Sequence, residues 1–183
     1  MATAKTGSFY LTETVTVPAA TLDGGRVQGT IDLGAYVNVA TGQAVAIESV
    51  DFVHQGGATY SSNPADLLAA NGTLGAQLSD LNPQAGFIRA DNQSLIASSS
   101  LILDVTQNIA SHQADIYPDN FGPAAQSEAF MVVNDSLYLV AGNDGAATGA
   151  SDVFVTARIK CRVVKLSSKD WMAIAIQSTA SDN

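Results

Sequence analysis

The chain is poor in the residues that most active sites require. It has one cysteine, Cys161, and two histidines, His54 and His112, in 183 residues. A lone cysteine excludes a disulfide within the chain, and this supply of thiol and imidazole argues against a four-ligand structural zinc site. Cations are scarce. Eight Lys+Arg face 17 Asp+Glu, for a net charge of −9, so attraction of the whole chain to nucleic acid is not expected, because phosphate binding draws on cations. Aromatics are 7 % with a single Trp, which is thin for a surface that stacks sugars. No apolar run approaches the roughly 18 residues of a membrane span. Residues 1–8, MATAKTGS, lack the apolar stretch of a secretory signal. The signatures H-E-x-x-H, C-x-x-C, G-x-S-x-G, G-x-G-x-x-G, the phosphate-binding P-loop and the EF-hand loop are all missing.

What is present is strand periodicity. Hydrophobic residues make up 46 % of the chain and charged residues only 14 %. Phe9, Leu11, Val15 and Val17 alternate with Tyr10, Thr12, Thr14 and Thr16, with Glu13 a misfit on the apolar side and Pro18 ending the run. Val27, Ile31, Leu33, Ala35, Val37 and Val39 line one face of a second segment. Val45 and Ile47 share one parity, Val50 and Phe52 the other, which predicts a β-bulge near Glu48–Ser49. Short runs at Phe87–Arg89 and Leu95–Val105 read as strands. FMVV (130–133) and SLYLV (136–140) flank Asn134–Asp135 and predict a two-residue hairpin. The last strand runs from about Val153 to Leu166, with Ile159, Cys161 and Val163 alternating with Arg158, Lys160 and Arg162.

Turns are expected at 23–25, 41–43 and 82–86, a glycine-rich loop at 142–151, and an irregular loop from Asp115 to Gln126. One short helix is expected after Asn63, with Asn63 as cap, Pro64 at its first position and Gly72 at its end. Residues 167–177 suit either a helix capped by Ser168 or a strand. The sum is an all-β fold, a single jelly-roll β-sandwich of about eight antiparallel strands with one or two short helices. No linker divides the chain, so one domain over 1–183 with short flexible termini is expected.

No catalytic, cofactor-binding or metal-binding residues emerge, and an enzyme is not expected. Cys161 reads as a small buried hydrophobe. Asn143–Asp144–Gly145 and Asp115/Asp119 have the oxygen donors of a calcium shell but equally the composition of turns. Asn71, Asn92 and Asn134 stand in N-x-[ST] patterns, which recur by chance. The one local anomaly is charge. Arg158, Lys160, Arg162, Lys165 and Lys169 give residues 158–183 a net +3, while residues 1–157 carry −12. Three of these cations share one strand face, which suits contact with an acidic partner such as a neighbouring subunit. Trp171, Met172, Ile174 and Ile176 are candidate apolar contacts.

SFYLTETVTV near the N-terminus, with FMVVNDSLYLVAG and DVFVTARIKCRVVKLSSKDWMAIAIQS, resembles the small single jelly-roll major capsid protein of tailless icosahedral, internal-membrane viruses of haloarchaea. That resemblance implies an upright jelly roll in a virion shell, made in the host cytoplasm. Its partners would be other capsid subunits, copies of itself and a larger jelly-roll protein, around a lipid vesicle. It brings no cofactor and no catalytic residues. The preponderance of Asp, 14 against 3 Glu, agrees with a high-salt setting, whereas the low charged fraction does not. The competing expectation is a carbohydrate-binding or adhesive β-sandwich module.

Overall fold

A computed structural model describes residues 2–57, 63–116 and 130–180. Its strands are β1 (Thr3–Ala4), β2 (Phe9–Val17), β3 (Arg26–Asp32), β4 (Gln43–Gly56), β5 (Gly72–Ser79), β6 (Leu95–Asp104), β7 (Ile109–Ile116), β8 (Phe130–Val132), β9 (Ser136–Asp144) and β10 (Val153–Lys165). The helices are α1 (Pro64–Leu67) and α2 (Ser168–Ala180).

All strand pairs are antiparallel and form two sheets. The first, sheet I, has the order β2-β10-β4-β8, with β1 continuing β2 along the same edge of β10. The second, sheet II, has the order β3-β9-β5-β6-β7. Along the chain, β2, β4, β8 and β10 enter the first sheet while β3, β5, β9 and their neighbours enter the second. This repeated crossing between interleaved sheets is the jelly-roll wrap. β7 is an addition to the eight-strand pattern. The interior is filled from both sides by alternate residues. Val15, Val17, Val45, Ile47, Val155 and Ile159 meet Ile31, Leu74, Leu78, Leu103, Leu137 and Leu139 in one buried cluster.

Several expectations hold. In β4 the ladder with β10 shifts so that Lys160 pairs Ser49 and Cys161 pairs Ile47, leaving Glu48 as the bulged residue. The bulge resets the parity, so Val45, Ile47, Val50 and Phe52 all face the core. Asn63 caps α1, its Oδ1 accepting from the Ala65 amide at 3.2 Å, with Pro64 opening the helix. The helix stops at Leu67 rather than at Gly72, because Leu68 turns extended and pairs with Thr148. Leu67 and Leu68 are buried there. Gly149 lets that loop lie on α1, since a Cβ would meet the Asp66 and Ala65 carbonyl oxygens at 2.5 and 2.6 Å.

Three expectations are corrected. Asn134–Asp135 is not a hairpin turn. β8 pairs with β4 and β9 lies in the other sheet, so these residues form the corner between sheets. The Asp135 carbonyl accepts from the Leu33 amide at 2.7 Å. A short hairpin is formed instead by β6 and β7, closed over 105–108 with Asn108 at φ 55. Phe87–Arg89 forms no strand. The 167–177 segment is helical: Ser167 Oγ accepts from the Asp170 amide at 3.1 Å, so Ser167 rather than Ser168 provides the cap. The expected loop at 115–126 falls mostly outside the described residues, although Asp115 and Ile116 belong to β7.

Candidate interface surface

The outward faces of the two sheets differ in what covers them. On sheet II the outward positions Gln28, Val140 and Gln77 lie in one row across β3, β9 and β5. The 82–89 segment crosses this row as a strap. Gln77 clasps it from both sides, Nε2 donating to the Ile88 carbonyl at 2.9 Å and Oε1 accepting from the Ile88 amide at 2.8 Å. Gln28 Oε1 accepts from the Ala85 amide at 2.7 Å, and its Nε2 donates to Asn82 at 3.1 Å. Phe87 sits on Gly75, where a Cβ would meet its ring at 2.8 Å. The Arg26 guanidinium lies 4.2 Å from the Phe87 ring centroid and grips both oxygens of Asp144 at 2.6 and 2.7 Å. Val140, an outward residue, is thereby buried.

On sheet I the described residues cover the outward face at one end only. There α2 seats Trp171, Ile174 and Ala175 on Ala44, Ala46, Val133 and Val164. The i, i+3, i+4 spacing of those three residues supplies the seam. Met172 and Ile176 point away from it and are each 65 % exposed. Beyond the helix the face carries Thr12, Thr14, Thr16 and Asp51, all exposed, with Tyr10 54 % exposed. Thr14 and Thr156 join hydroxyls at 2.8 Å across the strands. Of the four candidate apolar contacts, two are thus internal packing and two remain outward.

The basic stripe lies on this same face. Lys160 Nζ and Arg162 Nε each stand 3.5 Å from a Glu48 oxygen. Arg162 Nε makes no hydrogen bond at that distance, so the contact is one of charge. Ser8 donates to Glu48 as well, at 2.9–3.0 Å. The β-bulge turns Glu48 outward between the two cations. Arg158 is exposed and sits 5.3 Å from the Tyr10 ring centroid. On this face Arg158 is therefore presented more freely than Lys160 and Arg162, whereas Lys165, at the end of β10, has the opposite parity and Lys169 lies on α2. The role of Glu48 was missed in the sequence, although the parity break placed it.

The polar residues singled out from the sequence serve the fold. Asn143, buried, donates through Nδ2 to the carbonyls of Ala146, Leu22 and Thr21 at 2.7, 2.9 and 3.3 Å. With Asp144 held by Arg26, this pair stitches the loops at one end. Asn71 Oδ1 accepts from the Val105 amide at 2.8 Å, Asn92 Oδ1 from Ser94 at 2.9 Å, and Asn134 Nδ2 donates to the Asp80 carbonyl at 3.0 Å. Asp119 lies outside the described residues. Among these residues no three of His, Cys, Asp and Glu gather as a metal shell, and no helix is long and apolar enough to cross a membrane.

Cys161 faces the core from β10, and burial, with Glu48 nearby, pushes its thiol up to about 12. His54, on β4, pairs in register with Val155, six positions along β10 from Cys161. No Cys–His nucleophile is assembled. His112 lies within β7, and the fold brings the two histidines together, ring centroids 5.8 Å apart and steeply inclined. Burial, and then the neighbouring His112, lower His54 from near 6.5 to about 4.

No protein-family model and no curated protein matches the chain. Among solved structures it is similar to a chain of desmodium yellow mottle tymovirus at 6 % identity and TM-score 0.30, covering 88 % of this chain and 85 % of that one. A turnip yellow mosaic virus chain gives 9 % and 0.29, covering 88 % and 95 %. A chain from a single-particle structure of maize chlorotic mottle virus gives 13 % and 0.29, covering 87 % and 96 %. The fold assignment rests on the strand order above and not on these superpositions.

Proposed function

We propose that the chain is a structural subunit of a virion shell, a single jelly-roll capsid protein without catalytic, cofactor or metal chemistry in that role. The observation that carries this reading is the asymmetry of the two faces. Across β3, β9 and β5 one sheet is covered by the chain's own strap, although Ile102 of β6 stays 46 % exposed. The other presents a Thr/Tyr face, the exposed Arg158 and the outer apolar side of α2, the mixture that interfaces bury. The sequence resemblance to haloarchaeal capsid proteins points the same way. In that setting the partners are copies of this chain and a larger jelly-roll subunit around a lipid vesicle, with no direct contact to nucleic acid. The contact is heterologous, since a cationic face does not match itself. Heterologous contacts build rings or extended arrays.

Sedimentation of the purified protein, alone and with a candidate partner subunit across a salt series, tests this. Assembly that weakens as salt rises supports it. A monomer under all conditions that binds a glycan replaces it with the adhesive-module alternative. The Arg158→Ser, Lys160→Ser, Arg162→Ser triple variant should weaken assembly. Arg158→Ser alone should account for about half of that loss, because the single charge of Glu48 offsets one of the other two.

A further inference from the structure

The histidine pair stands apart from both outer faces. His54 lies on the inward row of β4 that also holds Val50 and Phe52, opposite Val155 of β10. His112 lies on β7 beside Leu101 of β6. The two strands belong to different sheets, so the rings bridge the sandwich beyond the described pairing of β8 with residues 45–47 of β4. His54 Nε2 is buried and has no hydrogen-bond partner. An imidazole nitrogen in that position costs desolvation with nothing returned. His112 is exposed and gives access from solvent. The sequence has two imidazoles, and both are here.

We propose that His54 and His112 form a two-imidazole clasp for a divalent transition ion of the Zn²⁺/Ni²⁺/Cu²⁺ type, tying β4 of one sheet to β7 of the other. The orphaned Nε2 of His54 is one ligand atom, and a ring nitrogen of His112 the other. A centroid separation of 5.8 Å is within the span of one ion with metal–nitrogen bonds of about 2.0–2.1 Å. Imidazole suits these ions, whereas Ca²⁺ and Mg²⁺ require oxygen ligands. The open positions on the His112 side are filled by water, so binding is weaker than at a four-ligand site and readily reversed by a chelator. This clasp is independent of the assembly reading.

The test is calorimetric titration of the full, chelator-stripped chain with Zn²⁺, with thermal melts in Zn²⁺, Ni²⁺ and Ca²⁺, on the native protein and on His54→Asn and His112→Asn. The expected result is one Zn²⁺ per chain and a midpoint rise of about 2–4 °C, with Ca²⁺ silent. His112→Asn should abolish both effects while folding normally, since that residue is exposed. His54→Asn should do the same. Absence of Zn²⁺ binding to the native chain overturns the proposal. So does binding that survives in His112→Asn, which would place the ion on the surface carboxylates. Failure here leaves the salt-dependent assembly test untouched.

Discussion

The two sheets share a core and a strand pattern, yet their outer faces are finished differently. Sheet II is closed across β3, β9 and β5 by the 82–89 strap, whose backbone is held by Gln28 and Gln77 and whose Phe87 is wedged between Gly75 and Arg26. Among the described residues sheet I is closed by α2 over part of its length only, and α2 repeats the problem by turning Met172 and Ile176 to solvent. A chain able to bury Val140 under its own strap does not lack the means to cover a sheet. The bare face is consistent with a surface whose cover comes from outside the chain.

The comparison is broken most forcefully at Phe87. Phe87→Ala removes the strap's anchor, unstacks Arg26 and uncovers Val140. A half-buried aromatic of this kind should cost about 3 kcal/mol, read as a lower denaturant midpoint. A loss below about 0.5 kcal/mol would mean the strap does not close sheet II.

The inter-sheet contact at His54 should show itself in acid. Its pKa is lower folded, about 4, than its ordinary value of 6.5. The unfolded chain therefore binds the proton more tightly. This contribution to stability is complete above pH 6.5 and declines as pH falls toward 4, by up to about 3 kcal/mol. Denaturant melts in chelating buffer from pH 7.5 to 4 should show the decline, and His54→Phe should flatten it.

Gln77→Ala should cost about 1–2 kcal/mol, because the Ile88 amide and carbonyl lose both partners at once. On the other face, Met172→Asp with Ile176→Asp should leave the melting midpoint nearly unchanged, as both side chains are outward, yet should reduce assembly in sedimentation. A large drop in midpoint with unaltered assembly would show that these residues pack within the chain.

Much of the sandwich was legible because burial of one face imposes a period of two. β2, β6 and β10 follow it, and the parity break in β4 revealed its bulge. β5 was not legible. Its sequence GTLGAQLS is small and glycine-containing, and Gly72 reads as readily as a helix end. That glycine is instead required where Asp144 and Ala146 press on the strand. The error at Asn134–Asp135 has the same origin. Turn composition says that the chain reverses, but only the distant pairing of Val132 with Val45 says into which sheet. The strap was misread because Phe87–Ile88 is apolar, and its hold comes from glutamines far along the chain. The histidine pair lay beyond any local pattern, since it forms only when two sheets close.

Thiol labelling reads directly which face is covered in the assembled state. Cys161 is buried with its thiol pushed up to about 12, so it contributes little background. Thr12→Cys reports sheet I and Thr30→Cys reports sheet II, both at exposed outward positions. On assembly, Thr12→Cys should become protected while Thr30→Cys keeps its reactivity. Assembly that protects Thr30→Cys and leaves Thr12→Cys free would contradict the account.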